Sequence, residues 1–327
     1  MKLPHRRQLL HLTAGAAALP FVSRVAMAQT TYPTRPITMI VPYTAGANHD
    51  TVARVLAERM RTSMGQPIII ENVSGADGSI GIGRVARGRP DGHTIALGDM
   101  ATQVLNGALY SLQYDPLKDF TPISPLTEAP FLLVARKSLA AKDPYALIAW
   151  LKGNPNTASA GITGSAGRIL SALFQKQTAT HFGLVPYRGG APAVQDLVAG
   201  QIDLSFFLPF QLLAQAGNIK AYAVTSDTRL TVAPDIPTFH EIGLPSLSMS
   251  YWLGLFVPRN TPKQIVSKLR DAVVEALADP IVRSRLTDLG QDIFPRERQT
   301  PETLAALVKA DAEKWWPRIK EFAIKVE

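Results

Sequence analysis

The chain has 327 residues, 46% of them hydrophobic and 7% aromatic, enough apolar material for two packed α/β domains. It contains no Cys, which excludes thiol catalysis, cysteine-held metals and disulfides. The formal net charge is +8, yet four of the 34 basic residues (Lys2, Arg6, Arg7, Arg24) precede Ala28 with no acid among them; the remainder is mildly basic, and no basic run interleaved with aromatics points to nucleic acid.

Residues 1–28 read as an export signal. Lys2, Arg6 and Arg7 form a positive start, a short Ala/Gly-rich apolar stretch follows, and Ala26-Met27-Ala28 is a small-x-small cleavage site. The apolar stretch is too short to span a bilayer comfortably. Arg6-Arg7-Gln8-Leu9-Leu10 has a twin-arginine pattern, with the general secretory route as the alternative. Either route predicts a periplasmic protein with its signal removed near Ala28.

The first folded unit starts at Ile37-Thr38-Met39-Ile40-Val41, a β-branched apolar run. Pro42, the Gly46 turn and Asp50 follow, and then apolar residues at helical spacing from Val52 to Met60. This is strand, loop and helix. It is either an ordinary β-α turn or an anion site, since a helix N-terminus presents free N–H groups and a positive dipole end. Strands at Ile68-Ile69-Ile70-Glu71-Asn72 and Thr94-Ile95-Ala96-Leu97-Gly98, with a helix over residues 80–87, continue a β-α-β-α-β pattern and predict a parallel sheet.

Residues 131–250 repeat the alternation. Strands are expected at 131–135, 158–161, 184–187, 202–206 and 219–225, and helices at 144–152, 165–177 and 191–199. A strand at 251–258 and helices at 262–278, 280–289 and 301–322 follow; these last helices lack a sheet of their own and must return to the first domain. The predicted organisation is a first lobe from residues 29–130 plus 251–327 and an inserted second lobe at 131–250. Lobe closure is expected to hinge near residues 126–131 and 250–255.

Catalytic signatures are missing. Gly81-Ile82-Gly83-Arg84-Val85-Ala86 fits a loose dinucleotide fingerprint, but its strand ends several residues too early. The six His have no metal-ligand spacing, and nothing in the spacing of Ser165, His181 and Asp203 supports a triad. No catalytic residue, metal site or cofactor is expected. Two loops do match in kind. One runs from Tyr43 to Asp50, and the other is Ile162-Thr163-Gly164-Ser165-Ala166-Gly167-Arg168. Both precede helices and offer backbone donors and hydroxyls. Arg168 would add a bidentate carboxylate partner if it faces inward.

Motifs spread along the chain carry a family resemblance. They include Tyr32-Pro33-x-Arg35-Pro36-Ile37, Ile40-Val41-Pro42-Tyr43, Gly65-Gln66-Pro67, Gly75-Ala76-Asp77-Gly78 and Pro90-Asp91-Gly92-His93-Thr94. Later come Val185-Pro186-Tyr187-Arg188-Gly189-Gly190-Ala191-Pro192, Gly200-Gln201-Ile202-Asp203 and Pro234-Asp235-Ile236-Pro237-Thr238. In this order the chain resembles the Bug-type, TctC-like substrate-binding proteins of tripartite tricarboxylate transporters.

That resemblance implies a type II periplasmic-binding-protein fold, two α/β lobes with a ligand cleft between them. It implies a receptor, expected to be a monomer, that binds a small organic acid and delivers it to membrane transporter subunits. An α/β hydrolytic enzyme or a periplasmic sensor for a signalling partner are the alternatives. By resemblance the ligand residues are Tyr43, Thr44, Ala45, Gly46, Ala47, Asn48 and Asp50 in the first loop, and Thr163, Gly164, Ser165 and Arg168 in the second. Thr102 and Gln103 line a further stretch. The family's first loop usually reads Pro-Gly-Gly where this chain has Ala45-Gly46-Ala47, and Phe207 stands where relatives often carry an Asp suited to an amine. Phe206, Phe207 and Phe210 are expected either to form an apolar or aromatic wall or to pack in the lobe core. The expected ligand is a carboxylate without an ammonium, aromatic or dicarboxylic, with Arg168 on a second charge.

Overall fold

The computed structural model describes residues 32–210 and 217–324; the expected export signal lies outside the described residues. Two sheets organise the chain. The first contains β1 (Ile37–Val41), β2 (Ile68–Asn72), β3 (Thr94–Asp99), β4 (Phe120–Pro130), β10 (Ser250–Pro258) and β11 (Asp292–Ile293), in the order β11-β4-β10-β3-β1-β2. The second contains β5 (Leu132–Arg136), β6 (Ser159–Thr163), β7 (Gly183–Tyr187), β8 (Leu204–Phe207) and β9 (Ile219–Val224), in the order β7-β6-β8-β5-β9.

The helices include α1 (Asn48–Met64), α2 (Ser79–Ala86), α3 (Asn106–Leu109), α4 (Pro144–Gly153), α5 (Gly164–Thr178), α6 (Gly190–Ala199), α7 (Lys263–Ala278), α8 (Pro280–Asp288) and α9 (Pro301–Glu321). One π-helical turn, Ala101–Leu105, joins β3 to α3.

The expected parallel unit is present: β1 pairs in parallel with both β2 and β3. Ile37, Met39, Ile40 and Val41 are fully buried, as a strand with parallel neighbours on both sides should be. The other half of this sheet is antiparallel, because β10 lies between β3 and β4 and opposes both. The sequence reading passes over β4, since Pro122, Pro125 and Pro130 all fall inside it. Pro cannot donate to a ladder. The β4–β10 register shifts between Leu253 and Gly254 and between Leu255 and Phe256, opposite Pro125 and Pro122. Irregular pairing at these points accommodates the missing donors.

The two chain crossings between the sheets lie side by side, with Ser250 opposite Pro130. Thr225 ties them: its hydroxyl accepts the Phe131 N–H at 2.8 Å and donates to the Met249 carbonyl at 2.6 Å. The C-terminal helices return to the first sheet. Both α7 and α9 pack on β4, and α7 also packs on α1. Trp252 of β10 and Trp315 of α9 are among the largest fully buried side chains of this core.

Helix starts follow local chemistry. Asp143 caps α4 by accepting the Ala146 N–H, with Pro144 at the first position, and Thr300 caps α9 in the same way. Helix α5 differs: its N-cap residue, Thr163, makes no side-chain cap bond.

Candidate functional site

The β1–α1 loop is held from behind. Asp50 Oδ2 accepts the Gly46 N–H at 2.8 Å and the Arg54 Nε–H at 3.0 Å. Its other oxygen accepts Asn72 Nδ2–H at 3.0 Å, and the same Asn72 nitrogen donates to the Tyr43 carbonyl. Burial raises the Asp50 pKa, but the bonds from Arg54, Gly46 and Asn72 together carry it below the usual carboxylate range. Asp50 therefore shapes the loop. Thr44, Ala45 and Gly46 are left exposed, while Asn48 and His49 turn inward.

Behind this loop sits a buried ionic group. Asp99 ends β3, is fully buried, and lies 2.7 Å from His49 Nε2. It also accepts the Thr102 N–H at 2.7 Å and the Thr102 hydroxyl at 2.8 Å, which anchors the π turn. Burial raises the Asp99 pKa, yet the bond and charge of His49 and the Thr102 N–H outweigh it and hold the group below its usual value. The Tyr43 ring stacks at a tilt on His49, centroids 4.2 Å apart, and Tyr251 from β10 meets His49 edge-on at 6.2 Å. Burial pushes both phenols well above the usual tyrosine pKa, so both stay protonated.

The second expected loop meets this group. Ser165, 2% exposed at the start of α5, donates its N–H to Asp77 Oδ2 at 2.6 Å. Its hydroxyl contacts the same oxygen and also lies 2.6 Å from Asn106 Oδ1. Asp77 belongs to the β2–α2 turn and Asn106 opens α3. The start of α5, on the second sheet, is thus bonded to loops of the first sheet.

Of the expected residues, Tyr43, Asn48, Thr102, Gln103 and Ser165 are at least half-buried around this polar cluster. Thr163 and Arg168 are half-buried, and Gly164 is exposed at the helix start. Both amide atoms of Gln103 and the Oδ1 of Asn48 are buried without a hydrogen-bond partner. Buried polar groups are normally paired, and these amides are exceptions. Gln103 lies in a π turn, a feature frequent at functional sites.

Phe207 is placed differently from the others. It is fully buried in the apolar cluster with Leu132, Val134, Leu197 and Val224. Phe206 stacks on Phe239, with ring centroids 5.9 Å apart. Packing within the second sheet's core accounts for both rings, in place of an apolar wall.

His49, Asp77, Asp99, Asn106 and Tyr251 are not among the expected ligand residues. Asp99 carried a signal, as a carboxylate closing an otherwise apolar strand. No spacing links Asp77 or Asn106 to their partner Ser165, which lies 88 and 59 positions away. Among the described residues, no group of three or more His, Asp or Glu is arranged to hold a metal ion.

The close approach of Asp77 to α5 requires a glycine. Gly164 has φ +68°, and a Cβ there would lie 2.7 Å from Asp77 Oδ1. Gly164→Ala is expected to cost about 1–2 kcal/mol from the left-handed backbone alone and to separate Asp77 from Ser165. A thermal melt within a degree of the parent would refute this.

Comparison with known proteins decides the family. A family model described as "Tripartite tricarboxylate transporter family receptor" (TctC) matches residues 52–324. This chain belongs to that family. It is similar to Protein BugT of Bordetella pertussis, 31% identical over 321 residues that cover 96% of this chain and 95% of that protein. Among solved structures it is similar to MatC from Rhodopseudomonas palustris with bound malate: TM-score 0.82, 38% identity, covering 88% of this chain and 99% of that one. R. palustris Rpa4515 with adipate gives a TM-score of 0.83 at 31% identity, covering 90% of this chain and 99% of that one. The fold is therefore that of the TctC and Bug solute-binding proteins, two mixed α/β sheets with flanking helices. The protein is a solute receptor of the TctC type, and not an enzyme.

Proposed function

We propose that this TctC receptor works in the periplasm as a monomer, binds a small organic dicarboxylate without an ammonium group, and hands it to the membrane subunits of a tripartite transporter. The carrying observation is the meeting of the β1–α1 loop region and the start of α5 around one buried polar cluster. Two helix N-termini, those of α1 and α5, supply N–H donors and positive dipole ends, which favour anions. The ligand's first carboxylate takes the Ser165 N–H and meets the exposed loop at Thr44 and Ala45. Thr102, Gln103 and Asn48 add polar contacts. Arg168, on the first turn of α5 and in the electrostatic neighbourhood of Tyr110, meets the second carboxylate.

The malate and adipate held by the MatC and Rpa4515 structures support this ligand class. In this reading the lobes are residues 29–130 with 251–327 and residues 131–250, and they hinge at the paired crossings beside Pro130 and Ser250. Residues 1–28 direct export and are removed near Ala28.

Native mass spectrometry of the purified protein tests the proposal by revealing a retained acid. Thermal melts then rank candidates. At a ligand concentration about 100 times Kd, binding adds about 2.7 kcal/mol of stability, a shift of several degrees. Malate or adipate is expected to shift the melt more than aspartate. Stabilisation by amino acids alone overturns the ligand class, and no shift with any acid overturns the receptor site.

A further inference from the structure

Helix α5 takes its cap from a distant loop. Thr163 supplies no side-chain cap, and the carboxyl group of Asp77 accepts the Ser165 N–H instead. Asp77 stands at φ +49°, a left-handed backbone uncommon for any residue but Gly, although Asp tolerates it. The protein thus fills, with its own carboxyl group, a donor that suits a carboxylate ligand.

We propose that Asp77 is a built-in competitor of the ligand: in the unliganded receptor its carboxyl group occupies the carboxylate position at the start of α5, latches the two sheets together, and must be displaced for the ligand to bind. This rests on the reading above, which gives the Ser165 N–H to the ligand.

A proton count adds to the geometry. The Ser165 hydroxyl is within bonding distance of both Asp77 Oδ2 and Asn106 Oδ1. Both are acceptors, because Asn106 uses its Nδ2 to donate to the Asp77 carbonyl at 2.8 Å and to Ser79 Oγ at 3.0 Å, which fixes its amide orientation. One hydroxyl hydrogen cannot serve two acceptors. A proton on Asp77 resolves this: the acid donates to Ser165 Oγ, and Ser165 donates to Asn106.

Burial, with a smaller contribution from Asp99, raises the Asp77 pKa; the Ser165 bonds and the more distant His49 lower it without cancelling the rise. Tyr43, Tyr110, Tyr114 and Tyr251 lie in the field of Asp77, and Arg168 acts on Tyr110. A raised pKa in the latched form means that latching takes up a proton. The latch is strongest below the ordinary aspartate pKa and weakens as pH rises through the latched-state value.

Two variants separate the parts of this proposal. Asp77→Gly removes the carboxyl group and suits φ +49° without strain. Asp77→Asn keeps the size of the side chain without a titrating group, and its carbonyl can still accept the Ser165 N–H. Small-angle scattering of the unliganded proteins is expected to show Asp77→Gly with a larger radius of gyration than the parent, and Asp77→Asn compact, with less pH dependence than the parent. Malate or adipate is expected to bind Asp77→Gly at least tenfold more tightly than the parent and to return it to the compact form.

An unliganded Asp77→Gly protein as compact as the parent overturns the latch. Unchanged or weaker acid binding by that variant overturns the competition. If neither protein binds either acid, the assignment of this ligand class fails by itself, and scattering alone judges the latch: opening of Asp77→Gly supports it, and an unchanged radius overturns it.

Discussion

Asp99→Ala is expected to destabilise the protein by about 1–3 kcal/mol for each buried polar group left without its partner. Asp99 is fully buried and lies 2.7 Å from His49 Nε2. Truncation leaves His49 in a buried pocket between two tyrosine rings. It also releases the Thr102 N–H and hydroxyl, and with them the π turn that carries Gln103. The urea midpoint should fall while its slope stays constant, because the loss is local.

The pH dependence carries a second signature of the same group. The Asp99 pKa is depressed in the folded state, so its contribution is present above the ordinary aspartate pKa and is lost as pH falls through the folded value. Asp99→Asn should flatten part of the acid limb of the parent's stability curve. A midpoint for Asp99→Ala equivalent to less than about 1 kcal/mol of loss would show that the pair is dispensable.

Trp252→Ala is expected to cost about 3–5 kcal/mol, as large-to-small changes at buried aromatics do. Trp252 is 1% exposed in β10, the strand that pairs with both β3 and β4. Its indole N–H donates to Asp311 Oδ2 at 2.7 Å, tying α9 to the sheet. Burial raises the Asp311 pKa, and the Trp252 bond opposes that rise, so truncation takes one partner from a half-buried carboxyl group as well as opening a cavity. Trp252→Phe separates the two effects: it retains most of the packing and loses the bond, for about 1–3 kcal/mol. Chemical denaturation of both variants checks this; an Ala variant no worse than the Phe variant would mean that the cavity is refilled by neighbours.

The alternation of apolar runs and helical spacings gave most element positions within a few residues. Such patterns report burial, and burial here follows regular periods. The exceptions have local causes. Strand β4 was passed over because its prolines deny it a normal ladder, and β10 accepts it only by shifting register. The π turn at Ala101–Leu105 followed from no spacing, since it is fixed by Thr102 folding back onto Asp99.

The site was legible by halves. Gly, Ser and Thr before a helical pattern marked both loops, because free N–H groups at a helix start follow from the chain itself. Phe207 could line a wall or fill the core, and it fills the second sheet's core, because which face of a strand turns inward depends on what covers it.

By itself, then, the sequence determined the two β-α alternations, the two donor-rich helix starts and, through its scattered motifs, the family. Only the tertiary structure decided that Asp77 caps α5, that His49 pairs with Asp99 and that Gln103 is buried without a partner. Those facts rest on contacts between residues 88 and 50 positions apart, or on exclusion from solvent, and neither follows from the pattern of any one segment.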